Sequence, residues 1–136
     1  MRLLYAPEGQ SMTLYNLTLR DNELGEEFNI GFFSSRERAE DIARYYLGNI
    51  RGFREYECGY FVTEKAVIGS GGAEAVYVVY GWNGDERDIV ESDCFTTEAL
   101  ARRQLAEMKM RFDRGEWCVD CFRADECKWQ DGFVRA

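Results

Sequence analysis

Histidine is absent from all 136 residues. With it go the commonest general base, the commonest metal ligand, and any serine–histidine or cysteine–histidine nucleophile pair. Positive charge is also scarce. Seventeen lysines and arginines stand against 25 acids, a net charge of −8. The deficit is spread along the chain, −3 over residues 1–68 and −5 over residues 69–136. Phosphate neutralisation needs clustered cations, so nucleic acid is not the expected partner. No apolar run approaches the length of a membrane span. The opening MRLLYAPEGQ holds too short an apolar stretch for a signal peptide. The five cysteines are odd in number, in a chain large enough to fold without staples. A reduced, cytoplasmic protein is therefore expected.

What the chain does have is apolar and aromatic side chains, 46% and 15% of its residues. That is enough for a packed core. It also has an internal echo. Sliding the sequence on itself by 62 positions places Ala39 on Ala101 and the stretch FFSSRERA, 32–39, on CFTTEALA, 94–101. Leu14-Tyr15-Asn16-Leu17 then falls on Val76-Tyr77-Val78-Val79, and no gap is needed from Leu14 to Ala43. A match of this kind reads as an internal repeat. Gly69-Ser70-Gly71-Gly72 lies between the copies and reads as a linker. No Lys-Ser/Thr pair follows it, so it is not a phosphate-cradling loop.

Each copy has the pattern strand, strand, helix, strand. The strands expected are 13–19, 28–33 and 60–67 in the first copy, and 75–82, 88–95 and 117–124 in the second. AVYVVYGW is apolar on both faces, as a central strand should be. Asn83-Gly84 marks a tight hairpin turn in the second copy. Ser34 with Glu37 predicts a capping box at the first helix, and Thr96 takes the cap role in the second. Ala39, Ile42, Ala43, Tyr46, Leu47 and Ile50 recur at helical spacing as one buried stripe, and Ala101, Leu105, Met108 and Phe112 do the same. A right-handed crossover places strand three parallel to strand two, with strand one between them. The expected fold is thus α+β, two tandem β-β-α-β repeats (1–68 and 74–136, joined by a 69–73 linker). The sheet is mainly antiparallel, one helix per repeat packs on one face, and the repeats form one unit with pseudo-two-fold symmetry.

The stretch GFFSSRERAEDIARYYLGNIRGFREYECGYFVTEKAVIG resembles a family of small bacterial domains of unknown function, here duplicated in tandem. Their pattern is G-x-F-S-S-x-x-x-A, a helix, a G-F-x-x-Y loop, a G-F-x-I strand, and often a closing W-x-x-G-F. The first copy carries the middle of that pattern, and the closing element occurs once, as Trp129-Gln130-Asp131-Gly132-Phe133. The loop GFREYECG, 52–59, has no full counterpart in the second copy. These motifs are turns, caps and core residues, and the resemblance implies no activity and no catalytic residue.

Other candidates for chemistry have simpler readings. Cys118 and Cys121 form a C-x-x-C, but within a strand pattern they point to opposite faces, and no second pair completes a zinc site. The acidic run 85–93 lacks the spacing of a calcium loop. Glu40-Asp41 and Asp125-Glu126 read as solvated faces. No catalytic, metal or cofactor site is expected. Among Tyr45, Tyr46, Tyr56, Tyr60, Trp82, Trp117 and Trp129, most belong in a core, while some fit an exposed groove. The candidate interface is Trp82 and Trp129 with the acidic Asp85 and Glu86.

The function expected is a non-enzymatic protein-binding or regulatory module, acting on a protein partner or by self-association. An inhibitor or immunity-type protein covering a basic partner is a specific form of it. A small-molecule sensor with its pocket between the repeats, or a thiol metal site, is the alternative.

Overall fold

The computed structural model describes residues 12–69, 75–82, 89–112 and 115–135. The 70–73 part of the expected linker and the Asn83-Gly84 turn lie outside the described residues. Within them, the chain is α+β, with six strands and two helices. The order is β1 (Met12–Asp21), β2 (Glu27–Phe33), α1 (Arg36–Asn49), β3 (Cys58–Ile68), β4 (Ala75–Trp82), β5 (Ile89–Phe95), α2 (Glu98–Arg111) and β6 (Glu116–Arg123).

The chain divides into two compact units, and the division is not the one the linker predicts. One unit is split in sequence, Thr13–Lys65 with Asp125–Ala136. The other takes Met12 and Ala66–Ala124, the latter lying in sequence between the two parts of the first; we call it the inserted unit. The boundaries thus differ from the expected 1–68 and 74–136: the C-terminal segment packs with the first half, not the second. We call residues 125–135 the strap.

In the split unit the strand order is β2-β1-β3. β1 and β2 are antiparallel, with Asn16 opposite Phe32 and Thr18 opposite Asn29. In the inserted unit β4 lies between β5 and β6 and is antiparallel to both. Val67 and Ile68, at the end of β3, run parallel to Cys94 and Phe95 of β5. Strand one therefore lies inside each three-strand set, as its apolar pattern predicts. Both hairpins carry an irregularity at positions 62 apart. The pairs Asn16–Phe32 and Thr18–Asn29 flank one, Val78–Cys94 and Tyr80–Glu91 the other. In the second, Ser92 Oγ accepts a hydrogen bond from Val79 N at 2.9 Å and donates to Asp93 O at 2.7 Å, so the extra residue leaves no buried hydroxyl unpaired.

The helices cover one sheet face in each unit. Ala39, Ala43 and Tyr46 of α1 meet Leu17, Leu19, Phe28, Ile30 and Phe33, with Ile42 and Ile50 alongside. Ala101 and Leu105 of α2 meet Val79 and Phe95, with Met108, Trp117 and Val119 beside them. Phe112 stacks on Trp117 at 5.5 Å. The predicted stripes are therefore the buried faces.

The caps fall one residue later than expected, and by the same shift in both helices. Ser35, not Ser34, caps α1, its hydroxyl accepting from Arg38 N. Thr97, not Thr96, caps α2, accepting from Leu100 N. The first residue of each pair has a tertiary role instead. Ser34 donates through both its N–H and its Oγ to Asp125 Oδ1, at 2.9 and 3.1 Å. Thr96 N donates to Ile68 O at 2.9 Å. Glu37 consequently sits in the first turn as a charge favourable to the helix dipole.

Ser35→Ala and Thr97→Ala should each lower stability by about 1 kcal/mol in urea titrations, since each leaves a helix N-terminus uncapped. Ser34→Ala should act differently, by weakening the hold on Asp125 and leaving the α1 cap intact.

Candidate functional site

The built-up region of the split unit lies where its strap closes over it. The strap begins by covering a strand edge. Asp125 N donates to Phe32 O at 2.8 Å and Lys128 N to Ile30 O at 2.7 Å, so the outer edge of β2 is paired. An unpaired edge would be a template for foreign strands. A side chain at Gly31 would overlap Glu126 O, so the approach of the strap depends on glycine there. Asp125 anchors this end. Its Oδ1 takes the two bonds from Ser34 and lies 3.2 Å from Arg38 Nε. Further along, Tyr46 Oη donates to Lys128 O at 2.8 Å. Burial and the neighbouring Cys127 thiol push the Tyr46 phenol well above its ordinary value.

The strap then inserts aromatic rings. Phe133 stacks on Phe28 at 4.6 Å and meets Phe53 edge-on at 4.9 Å and Tyr56 at 5.8 Å. Trp129 meets Phe28 edge-on at 4.9 Å. Phe28 and Phe53 are themselves edge-to-face at 5.2 Å. Such pairs contribute roughly 0.5–1.5 kcal/mol each beyond their buried area. Backbone to backbone, Phe133 N donates to Arg51 O at 3.1 Å. The chains come so close that Gly52 and Gly132, both at positive φ (86° and 73°), have no room for a Cβ: Phe133 fills one place and Arg51 O the other. The Gly52–Gly59 loop and the Trp129–Phe133 segment are therefore mates.

The far end is an ion pair. Asp21, at the end of β1, is 0% exposed. Arg135 grips it with Nη2 at 2.7 Å from Oδ1 and Nε at 3.0 Å from Oδ2. Its Nη1 reaches Glu23 Oε2 at 3.1 Å, and its guanidinium lies 3.8 Å from the Tyr56 ring centre. The backbone N–H groups of Glu23 and Leu24 also donate to Asp21 Oδ1. Both oxygens of the buried carboxylate thus face donors, which is the condition for burying a charge without heavy cost. The Arg135 hydrogen bonds hold the Asp21 carboxyl below its ordinary value against the opposing effect of burial, and the two N–H donors help. Asp21 raises Arg135 in turn.

Around this clasp sit exposed apolar side chains. Leu24 is 58% exposed, Val134 63%, Tyr60 38% and Phe61 46%. The segments that carry them are tied together. Leu24 N bonds Asp21, Asn22 N donates to Glu57 O at 3.0 Å, and Val134 precedes Arg135. Tyr60 and Phe61 are successive residues of β3, which pairs with β5 further along, at Val67 and Ile68. Glu23, Glu26, Glu27 and Glu57 are exposed on the same segments.

The residues singled out from sequence are placed as follows. Trp129 is in the strap, half in the aromatic cluster and 46% exposed. Trp82 ends β4 and is half-buried, with its indole Nε1 buried and without a hydrogen-bond partner among the described residues. Asp85 and Glu86 lie outside the described residues. Trp82 belongs to the inserted unit and Trp129 to the split one. Cys118 and Cys121 are exposed in β6, opposite Tyr80 and Tyr77. The Cys118 thiol bonds the Tyr80 phenol, which this contact and burial push up to about 12. Among the described residues no group of three or more histidines, cysteines or acids is placed to hold a metal ion. Nor is any helix long and apolar enough to cross a membrane. No family model, curated protein or solved structure matches the chain.

A depressed carboxyl contributes stability that is complete above its unfolded value, about 3.9, and is lost as pH falls through the folded one. Acid should therefore loosen the strap only below about pH 4. Asp21→Asn should lower the melting temperature at neutral pH by on the order of 10 °C and flatten the acid limb, read by thermal melts across pH. Gly132→Ala should cost about 2 kcal/mol or more, because strain and overlap with Arg51 act together.

Proposed function

We propose that the chain is a non-enzymatic protein-binding or regulatory module built from a duplicated β-β-α-β unit. The observation that carries the binding reading is the exposure of Tyr60 and Phe61, one on each face of β3, together with that of Leu24 and Val134. Aromatic side chains left in water on β3, ahead of its Val67–Ile68 pairing with β5, suit a partner that covers them. The acids on the neighbouring segments favour a basic partner, which is the inhibitor-type form of the reading. The opposite edge, that of β2, is taken up by the strap. At β6 the Cys121 N–H is occupied by Asp120 Oδ1 at 2.8 Å. With β2 and β6, the two ends of the strand order, both blunted, the exposed side chains of β3 are the surface best suited to a partner.

Duplication is supported by the 62-residue offset. It relates the two hairpin irregularities, the two caps and the two interior strands. On that reading the parent domain is the split unit, complete with its closing motif, and the second copy is an insertion ahead of that motif. The likeness to small bacterial domains of unknown function fits the split unit better than either half of the chain. Five free cysteines suit a reducing cytoplasm.

Tyr60→Ala and Phe61→Ala should change stability by less than about 0.5 kcal/mol, because both side chains are substantially exposed. Affinity enrichment from the native host with the wild-type chain should recover a stoichiometric partner that the double variant loses. Equal recovery by both chains, or no partner and no self-association by sedimentation, would count against the reading.

A further inference from the structure

The strap and its cradle behave as ligand and receptor joined by a long detour. Residues 125–135 meet the split unit through hydrogen bonds, ring contacts and the Asp21–Arg135 pair. Their covalent connection runs instead to β6 of the inserted unit, which ends at Arg123. Ala124 alone separates that strand from Asp125, whose N–H already bonds Phe32 O. Asp125 holds a left-handed φ of 63° to make the change of direction. A short hinge under backbone strain is the condition that invites exchange of a terminal element between copies.

We infer that the cradle formed by Asp21, Phe28, Gly31, Gly52, Phe53 and Tyr56 is a recognition site for the strap of a second copy, so that two chains exchange residues 125–135 reciprocally. The occupant is fixed by the chemistry of the site. It must present a free edge to pair Ile30 and Phe32, a ring to fill the space over Gly52, a glycine where Arg51 O comes close, and a guanidinium for buried Asp21. The Asp125–Arg135 stretch of this chain meets all four requirements. Exchange keeps every one of these contacts and makes each site depend on an arginine from the other copy. The balance between closed monomer and exchanged dimer then rests on the hinge and on concentration.

Charge reversal tests this with the full chain. Asp21→Arg and Arg135→Asp each place like charges at the clasp, so either chain refolded alone from urea should lose its ordered strap. Refolded together, the two variants can exchange straps so that opposite charges meet in both sites. The cradle with the reversed charge then receives the strap with the reversed charge, and the cradle that keeps Asp21 receives the strap that keeps Arg135. The mixture should yield a dimer by light scattering, with a melting temperature above that of either component. A mixture that behaves as the sum of its parts overturns the inference. A second measurement does not depend on tolerating reversed charges. The wild-type chain refolded at rising concentration should form a dimer, and a Gly-Ser-Gly-Ser insert between Ala124 and Asp125 should return it to monomer. A wild-type chain that stays monomeric throughout, or a dimer indifferent to the insert, overturns it as well.

Discussion

A buried carboxylate sets the terms for the split unit. Asp21 sits out of water at the end of β1 and must be matched there, and the match comes from Arg135, 114 residues away. Removing one member of a buried pair costs far more than exchanging both for apolar groups, because the survivor is left charged and unsolvated. The clasp therefore demands that the strap be in place. Once it is, the strap closes the β2 edge, fills the space over Gly52 with Phe133, and gives Tyr46 an acceptor for its hydroxyl. The three-strand sheet under one helix has a limited core of its own, and small units of that kind are marginal unless something covers their edges and open faces. Here the cover is a strand-like segment with an aromatic plug and an arginine lock.

The inserted unit solves the same problem by other means. β4 is buried on both faces, with Val76, Val78 and Val79 all out of water. It is flanked on both sides, by β5 and β6. The end of β3 supplies a further parallel neighbour through Val67 and Ile68. At β6 the Asp120 carboxylate occupies the Cys121 N–H, and Glu116, Cys118, Cys121 and Arg123 are exposed. Charged residues and occupied donors are a familiar way to blunt a terminal strand.

Much of this was legible from local pattern. Alternating apolar residues, the helical stripe from Ala39 to Ile50 and the Ser/Thr pairs define six strands, two helices and the interior position of strand one. The caps were legible only to within a residue, because Ser34-Ser35 and Thr96-Thr97 each offer two hydroxyls; in the first pair Asp125 takes the Ser34 hydroxyl and leaves Ser35 to cap. What local pattern does not carry is destination. Trp129 to Phe133 follows β6 in sequence and belongs to the split unit in space, since nothing about a W-x-x-G-F segment says which cradle it fills. One signal does point the right way. The G-F-x-x-Y loop and the W-x-x-G-F segment are the two parts of the pattern that each occur once, and they pack together at Gly52 and Phe133. Asp21 gave no warning of its burial, because an acid at a turn is ordinarily solvated. Tyr60 and Phe61 are successive strand residues, so at most one could have faced the helix, and local pattern does not say that both stay exposed.

The nesting of one unit within the other also fixes an order of assembly during synthesis. As the chain emerges from the ribosome, residues 13–65 appear ahead of residues 66–124, yet their lock lies beyond that whole segment. The inserted unit has all its parts available as soon as residue 124 is out, and the split unit must wait for the segment that follows. Contacts that span 91 to 114 residues also close slowly, since a long loop must be ordered before they form. The split unit is thus completed last, and until then its aromatic cleft stands open to whatever chain is nearest.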